Sequence, residues 1–215
     1  MLLARRNILA IGAALALGSV TGFATGASAK PEIGKPAPDF SAVDTKGKTV
    51  ALSALRGKTV VLEWTNADCP YVRKHYGAGN MQKLQGEAAA EGVVWLSLIS
   101  SAPGEQGHVS PAEADQLTAS RHAEPASVLL DEKGKIGRAY DARTTPHMFV
   151  INGDGTLVYM GGIDDKPTTS QTDIQGATNY VRLALDAVKS GKPVATPVSR
   201  PYGCSVKYSP QDERS

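Results

Sequence analysis

The chain has 215 residues, 41% of them hydrophobic and 20% charged, with a formal net charge of +2. That is long enough for one domain with a sizeable core. The near-balance of charge argues against nucleic acid or an anionic membrane surface as partner.

Residues 1–29 read as a secretory signal peptide. Arg5-Arg6 is a basic n-region, residues 8–20 are apolar, and Ala27-Ser28-Ala29 is a small-residue cleavage site before Lys30. The paired arginines suggest twin-arginine export, with the general secretory route as the alternative. A retained membrane anchor is the competing reading, but residues 8–29 contain four glycines and end in small, polar residues. Cleavage removes two arginines and no acid, which leaves a neutral chain. No other segment is long and apolar enough to span a bilayer, so a periplasmic or secreted protein without stable membrane insertion is expected.

From Lys30 a Pro-rich polar arm runs to Phe40. Residues 40–52 read as two short strands around Asp44-Thr45-Lys46-Gly47, a hairpin signal. The run 59–64 is mostly apolar, as for a central strand covered on both faces. A short helix over 70–76 is broken by Gly77-Ala78-Gly79, and Asn80 is a candidate cap for a second helix to about residue 91. The next central strand is expected at 93–99. A Gly- and Ser-rich surface loop over 100–110 precedes a helix over 111–122, with Pro111 at its start. A strand at 126–130, a helix at 133–140 and strands at 147–151 and 157–160 follow, the last two around Gly153-Asp154-Gly155. A polar loop over 164–172 leads to helical apolar spacing over 173–189, at Ile174, Tyr180, Leu183, Leu185 and Val188. From Gly191 the tail has four prolines and no periodicity, and it carries Cys204. This order predicts an α/β domain over 30–190, a mixed central sheet flanked by helices with an N-terminal hairpin. An irregular, movable tail over 191–215 follows, which Tyr202 and Tyr208 could dock.

Cys69 and Cys204 are the two cysteines. Cys69 lies between a strand and a helix, directly before Pro70. Pro is favoured at the first helical position, so Cys69 is a candidate N-cap. A thiol there faces unpaired backbone N–H groups and the positive end of the helix dipole, and both favour the reactive thiolate. Arg73 and Lys74 add positive charge one turn on, while Asp68 opposes it. The competing reading is a small buried cysteine that packs. Glu63 precedes Cys69 by six residues in an otherwise apolar strand. Desolvation would raise its pKa and suit it to proton transfer; a partly solvated or lysine-paired Glu63 is the alternative. His75, His108, His122 and His147 have no metal-ligand spacing, so neither metal nor cofactor is expected, with a Cys69/His147 copper site as a remote alternative.

The strand–Cys69-Pro70–helix order does not stand alone. Gly34-Lys35-Pro36-Ala37-Pro38-Asp39-Phe40, Gly57-Lys58-Thr59-Val60-Val61-Leu62 and Thr145-Pro146-His147-Met148-Phe149-Val150-Ile151 accompany it. Together they resemble the thioredoxin-fold redoxins of the alkyl hydroperoxide reductase/thiol-specific antioxidant group, a peroxiredoxin-like family, over roughly residues 33–190. The resemblance implies a thioredoxin-like fold and an exported thiol oxidoreductase. In the leading reading peroxide oxidises Cys69 to sulfenic acid and a thiol reductant restores it. Thiol–disulfide exchange with protein partners is the alternative, and a non-catalytic thiol- or metal-binding module is the third.

The resemblance further implies that Glu63 handles protons and that Arg143 stabilises thiolate and polarises peroxide. It makes Thr145-Pro146 a cis-proline loop beside Cys69, whose backbone pairs with an extended substrate. Leu62 and Asn66 stand where peroxiredoxins place Pro and Thr or Ser, and Thr65 is one residue early; Thr65 or Asn66 could still hydrogen-bond the sulfur. Val72 stands where thioredoxins place the second cysteine of Cys-x-x-Cys. Cys204 is then the candidate resolving cysteine, in a reversible disulfide with Cys69. A permanent staple, which would stabilise by about 4–5 kcal/mol but consume the nucleophile, and no bond at all are the alternatives.

Overall fold

A computed structural model describes residues 30–209; the expected signal peptide lies outside the described residues. The leading arm is tied down by Gly34 N–H donating to the Leu157 carbonyl and Ala37 N–H to that of Gly155, at 2.9 and 3.0 Å. A hairpin of β1 (Ser41–Val43) and β2 (Thr49–Ala51) pairs Ser41 with Ala51. Then come β3 (Val60–Trp64), α1 (Pro70–Gly77), α2 (Asn80–Ala90), β4 (Val94–Ile99) and α3 (Pro111–Ser120). The second half holds β5 (Ser127–Leu130), α4 (Lys135–Ala139), β6 (Thr144–Thr145), β7 (His147–Ile151) and β8 (Leu157–Gly161). It ends with α5 (Tyr180–Lys189) and β9 (Cys204–Ser205).

The main sheet has the order β5-β4-β3-β7-β8. β3, β4 and β5 run parallel, and β7 and β8 are antiparallel additions. With helices on its faces this is a thioredoxin-like fold. β3 is buried along its whole length, and its alternation divides the core. Val60, Leu62 and Trp64 join Leu96, Leu98, Tyr140, Phe149 and Ile151 in one layer. Val61 joins Cys69, Val72, Tyr76, Trp95, Met148, Val150 and Val181 in the other. A charged residue on β3 is therefore buried whichever face it takes, and Glu63 is one.

The elements differ from the sequence expectations at three places. Asn80 is the first residue of α2 rather than its cap; Gly79 caps it in a left-handed conformation, φ 70°, and the Asn80 amide goes to His75 Nδ1 at 2.9 Å. The helix expected over 173–189 is split. A 3₁₀ turn, Gln171–Gly176, comes first, Ala177 is extended, and α5 begins only after Asn179, whose side chain accepts the Arg182 N–H at 2.9 Å. A good N-cap inside an apolar repeat restarts the helix there. Third, the tail is docked.

Candidate functional site

β3 delivers the chain to residues 65–69, and Pro70 fixes the first turn of α1. Cys69 is the N-cap residue, extended at φ −74° and ψ 122°, and is 0% exposed. Its thiol donates to the Thr145 carbonyl oxygen, 3.0 Å from Sγ. The Thr145-Pro146 peptide is cis. Burial pushes the Cys69 thiol up. The Cys204 thiol, the buried and otherwise unpartnered Thr145 hydroxyl, and the backbone N–H groups of Val72 and Cys204 outweigh it, and the pKa falls below the ordinary range. Val72 is the third helical residue, so this N–H is one of the orphans a helix start offers.

Cys204 reaches this spot through the tail. Pro197 and Ser199 bond to Met160 on β8, and Gly162 N–H donates to Ser199 Oγ at 2.9 Å. β9 then pairs antiparallel with β6, Cys204 opposite Thr145 and Ser205 opposite Thr144, and Val206 N–H continues the ladder to the Arg143 carbonyl at 3.0 Å. Directly opposed residues in such a pair project to the same side. Beyond it, Ala102 N–H donates to the Lys207 carbonyl, and the Tyr208 hydroxyl to that of Ala142. Gly203 sits at φ 140°, and a Cβ there would overlap the Thr145 carbonyl oxygen. Only glycine lets the tail lie this close to the cis-proline loop. Burial and the facing Cys69 sulfur push the Cys204 thiol up to about 11. Both cysteines are free thiols.

The model of the AhpC/TSA family matches residues 33–160. The chain belongs to the AhpC/TSA family. It is 27% identical to a thioredoxin-like protein, YneN, of Bacillus subtilis, over 66% of this chain and 79% of that one. It is 26% identical to the thiol-disulfide oxidoreductase ResA of Halalkalibacterium halodurans, over 62% and 71%. Among solved structures, an uncharacterized conserved protein from Geobacillus kaustophilus superposes with a TM-score of 0.71 at 26% identity, covering 83% of this chain and 93% of that one.

Within this AhpC/TSA site the remaining sequence candidates are distributed unevenly. Glu63 is 0% exposed, on the same face of the sheet as Cys69. Its carboxyl accepts from Tyr76 Oη at 2.9 Å, Trp95 Nε1 at 2.9 Å, Ser97 Oγ at 3.1 Å and Gln85 Nε2 at 3.3 Å. Burial raises its pKa, and the hydrogen bonds from Trp95, Tyr76 and Ser97 together with the Arg121 charge only partly oppose that. Thr65 sits in the same interior; its hydroxyl is buried without a partner and borders a small void with Tyr76 and Ser97. Asn66 is engaged at both ends, Oδ1 accepting from Asp68 N–H at 2.9 Å and Nδ2 donating to the Gln106 carbonyl at 3.2 Å.

The cations expected around the sulfur are engaged elsewhere. Arg143 is 64% exposed and pairs with Asp141. Its guanidinium is held by a carboxylate two residues back in the chain, which leaves its backbone carbonyl, the acceptor for Val206 N–H just before β6, as its contribution to the site. Arg73 pairs with Asp68 at 3.0 Å on the surface, so the two residues of opposing sign near Cys69 offset each other. Lys74 points inward.

That inward Lys74 belongs to a cluster the sequence did not suggest. Its side chain is 0% exposed, donates to the Lys166 carbonyl at 2.6 Å and lies 3.8 Å from Asp164 Oδ2, itself 1% exposed. Tyr202 closes the cluster from the tail. Its hydroxyl donates to Asp164 Oδ1 and meets His75 Nε2 at 3.0 Å. Since the Tyr202 proton goes to Asp164, His75 must donate from Nε2, and Nδ1 then accepts from Asn80, as its geometry allows. Burial first, then the Lys74 charge, lowers the His75 pKa to about 3, so it stays neutral in this chain of bonds. Tyr202 also meets Tyr71 edge-on at 5.8 Å. The clue in the sequence was weak: a Lys-His pair inside a short helix, and an aromatic two residues before Cys204.

Proposed function

We propose that this chain is an exported thiol–disulfide oxidoreductase whose redox couple is Cys69 and Cys204. The observation that carries the reading is the convergence of the two thiols at Thr145: Cys69 bonds to its carbonyl, Cys204 lies opposite it on β9, and the two sulfurs interact, with Cys69 the more acidic. Val72 leaves no second thiol on α1, and Cys204 supplies one from the other end of the chain. The reaction transfers two electrons and two protons. Two protein thiols and an external disulfide become an internal disulfide and two external thiols, and a dithiol reductant reverses it. Protein or small-molecule thiols and disulfides are the partners this chemistry takes. Export rests on the leader over 1–29. Glu63 would store the proton released as Cys69 reacts; burial raises its pKa above the ordinary carboxyl range.

Treatment with diamide should cost the protein two hydrogens and yield a linked Cys69–Cys204 peptide, and dithiothreitol should restore the thiols at a defined potential. Absence of that peptide by mass spectrometry would end the reading. Peroxide reduction through Cys69 is the second reading, supported by membership of the AhpC/TSA family. Against it stand Arg143 and Asn66, two of the three groups expected near the sulfur, which have other partners; the third, the Thr65 hydroxyl, is buried without one. Consumption of hydrogen peroxide with dithiothreitol, at a rate well above that of free cysteine, would restore it.

A further inference from the structure

We infer that an external thiol enters this site at Cys204, and that Cys69 reacts only inside the molecule. The inference rests on the proposed Cys69–Cys204 couple and reverses the roles the sequence suggests, in which Cys69 meets the substrate and Cys204 resolves. The N-cap sulfur is roofed. Cys69 has no exposed surface, while Cys204 is half-buried. The roof is the tail itself, occupying the edge of β6 where an extended partner would otherwise pair. An open cleft of about 540 Å³ lies beside the tail. Tyr71, Asp164, Tyr202 and Gly203 line it, so it reaches the backbone next to Cys204; neither cysteine forms part of its wall, and the difference in access rests on their exposure.

Two features keep the roof in place. Gly203 seats the strand against Thr145. Tyr202 donates to Asp164 Oδ1, so lifting the tail would leave this buried carboxyl group beside Lys74 with only the Lys166 N–H as donor. The chemistry runs in the same direction as the access. A reductant thiolate attacks Cys204 Sγ, the Cys69–Cys204 bond breaks, a bond between the reductant sulfur and Cys204 forms, and Cys69 leaves as a thiolate. The second thiol of the dithiol reductant then attacks its own sulfur in the mixed disulfide and releases Cys204. The better leaving group is the more acidic thiol, which is Cys69. In the oxidising direction the same intermediate forms on Cys204, and Cys69 thiolate closes the internal bond by expelling the external thiol.

The probe is glutathione. Oxidised wild-type protein, its Cys69–Cys204 bond first verified by mass, is mixed with excess glutathione, quenched in acid within seconds and mapped. Glutathione is expected on Cys204, with Cys69 as free thiol, by on the order of tenfold or more. Glutathione on Cys69, or evenly on both, overturns the inference and leaves the redox couple standing. A wild-type protein that forms no internal bond removes both. Gly203→Ala provides the internal control: its tail cannot seat as in the wild type, and the preference should fall towards equal labelling. A preference unchanged in that variant would show that the tail is not its source, and would also overturn the inference.

Discussion

Cys69 is placed by its neighbours in sequence: β3 ends, Pro70 follows, and the first turn of α1 brings the Val72 N–H towards the sulfur. Cys204 is placed by distant residues. Its anchor Tyr202 meets His75 from 127 positions away, and its strand partner is Thr145. The first arrangement persists as long as the core does. The second depends on a tail whose ladder is two residues long and which is otherwise held by scattered hydrogen bonds and by partly buried side chains such as Tyr202 and Val206. Elements with few buried contacts open first, so the partner thiol is conditional where the nucleophile is permanent.

The largest expected effect comes from Lys74→Met, which leaves Asp164 charged and buried with no cation. Breaking a buried pair from one side costs about 3–5 kcal/mol. Urea unfolding should show a loss of that order; a loss within surface-mutation range would mean the cluster does not hold the tail to the domain. Tyr202→Phe is the finer cut. It deletes one hydroxyl, keeps the ring against Tyr71, and removes the donor to Asp164 and the acceptor for His75. An unsatisfied buried group costs about 1–3 kcal/mol. By hydrogen exchange, the amides of the tail should lose protection while β3 and β4 keep theirs. Equal loss in both places would erase the distinction between a permanent and a conditional half.

That distinction also explains what the sequence could and could not reveal. The five-strand sheet was readable because each strand is a continuous apolar run with turn residues at its ends, and the Cys69 N-cap because Pro70 marks it. Glu63 was readable as an acid in an apolar strand, but its four donors were not, since Tyr76, Gln85, Trp95 and Ser97 come from three elements that meet only in the fold. The tail read as irregular and movable because β9 has no period to detect. Its order comes from Gly203 and Tyr202 fitting surfaces made by β6 and α1. Arg143 shows the converse error. The resemblance aimed its side chain at the sulfur, and two residues away Asp141 offered a nearer partner.

The smallest and most specific prediction tests the permanent half through Glu63. In the unfolded chain this carboxyl releases its proton near the ordinary 4.5; in the fold, burial holds the proton to higher pH. Between those two values the native state binds more protons than the unfolded state, so stability falls as pH rises, by about 1.4 kcal/mol for each unit of separation. His75 and His147 tilt the curve the other way. Burial holds their pKa values down to about 3 and about 4, below the ordinary 6.5, so their contribution is complete above 6.5 and is lost on acidification through that range. Glu63→Gln keeps both histidines and removes only the acid. The measurement is therefore a difference curve, wild type minus variant, from urea unfolding between about pH 4.5 and 8. Glu63→Gln adds a constant offset, because an amide accepts fewer of the four hydrogen bonds, and the difference should then drift in favour of the variant as pH rises. A flat difference would mean that Glu63 is ionised in the fold as readily as in water. The same pair of proteins then tests its chemistry: if the pH profile of Cys69–Cys204 disulfide formation with diamide is also unmoved, Glu63 is a structural acceptor for Tyr76, Trp95 and Ser97 and takes no proton from the reaction at Cys69.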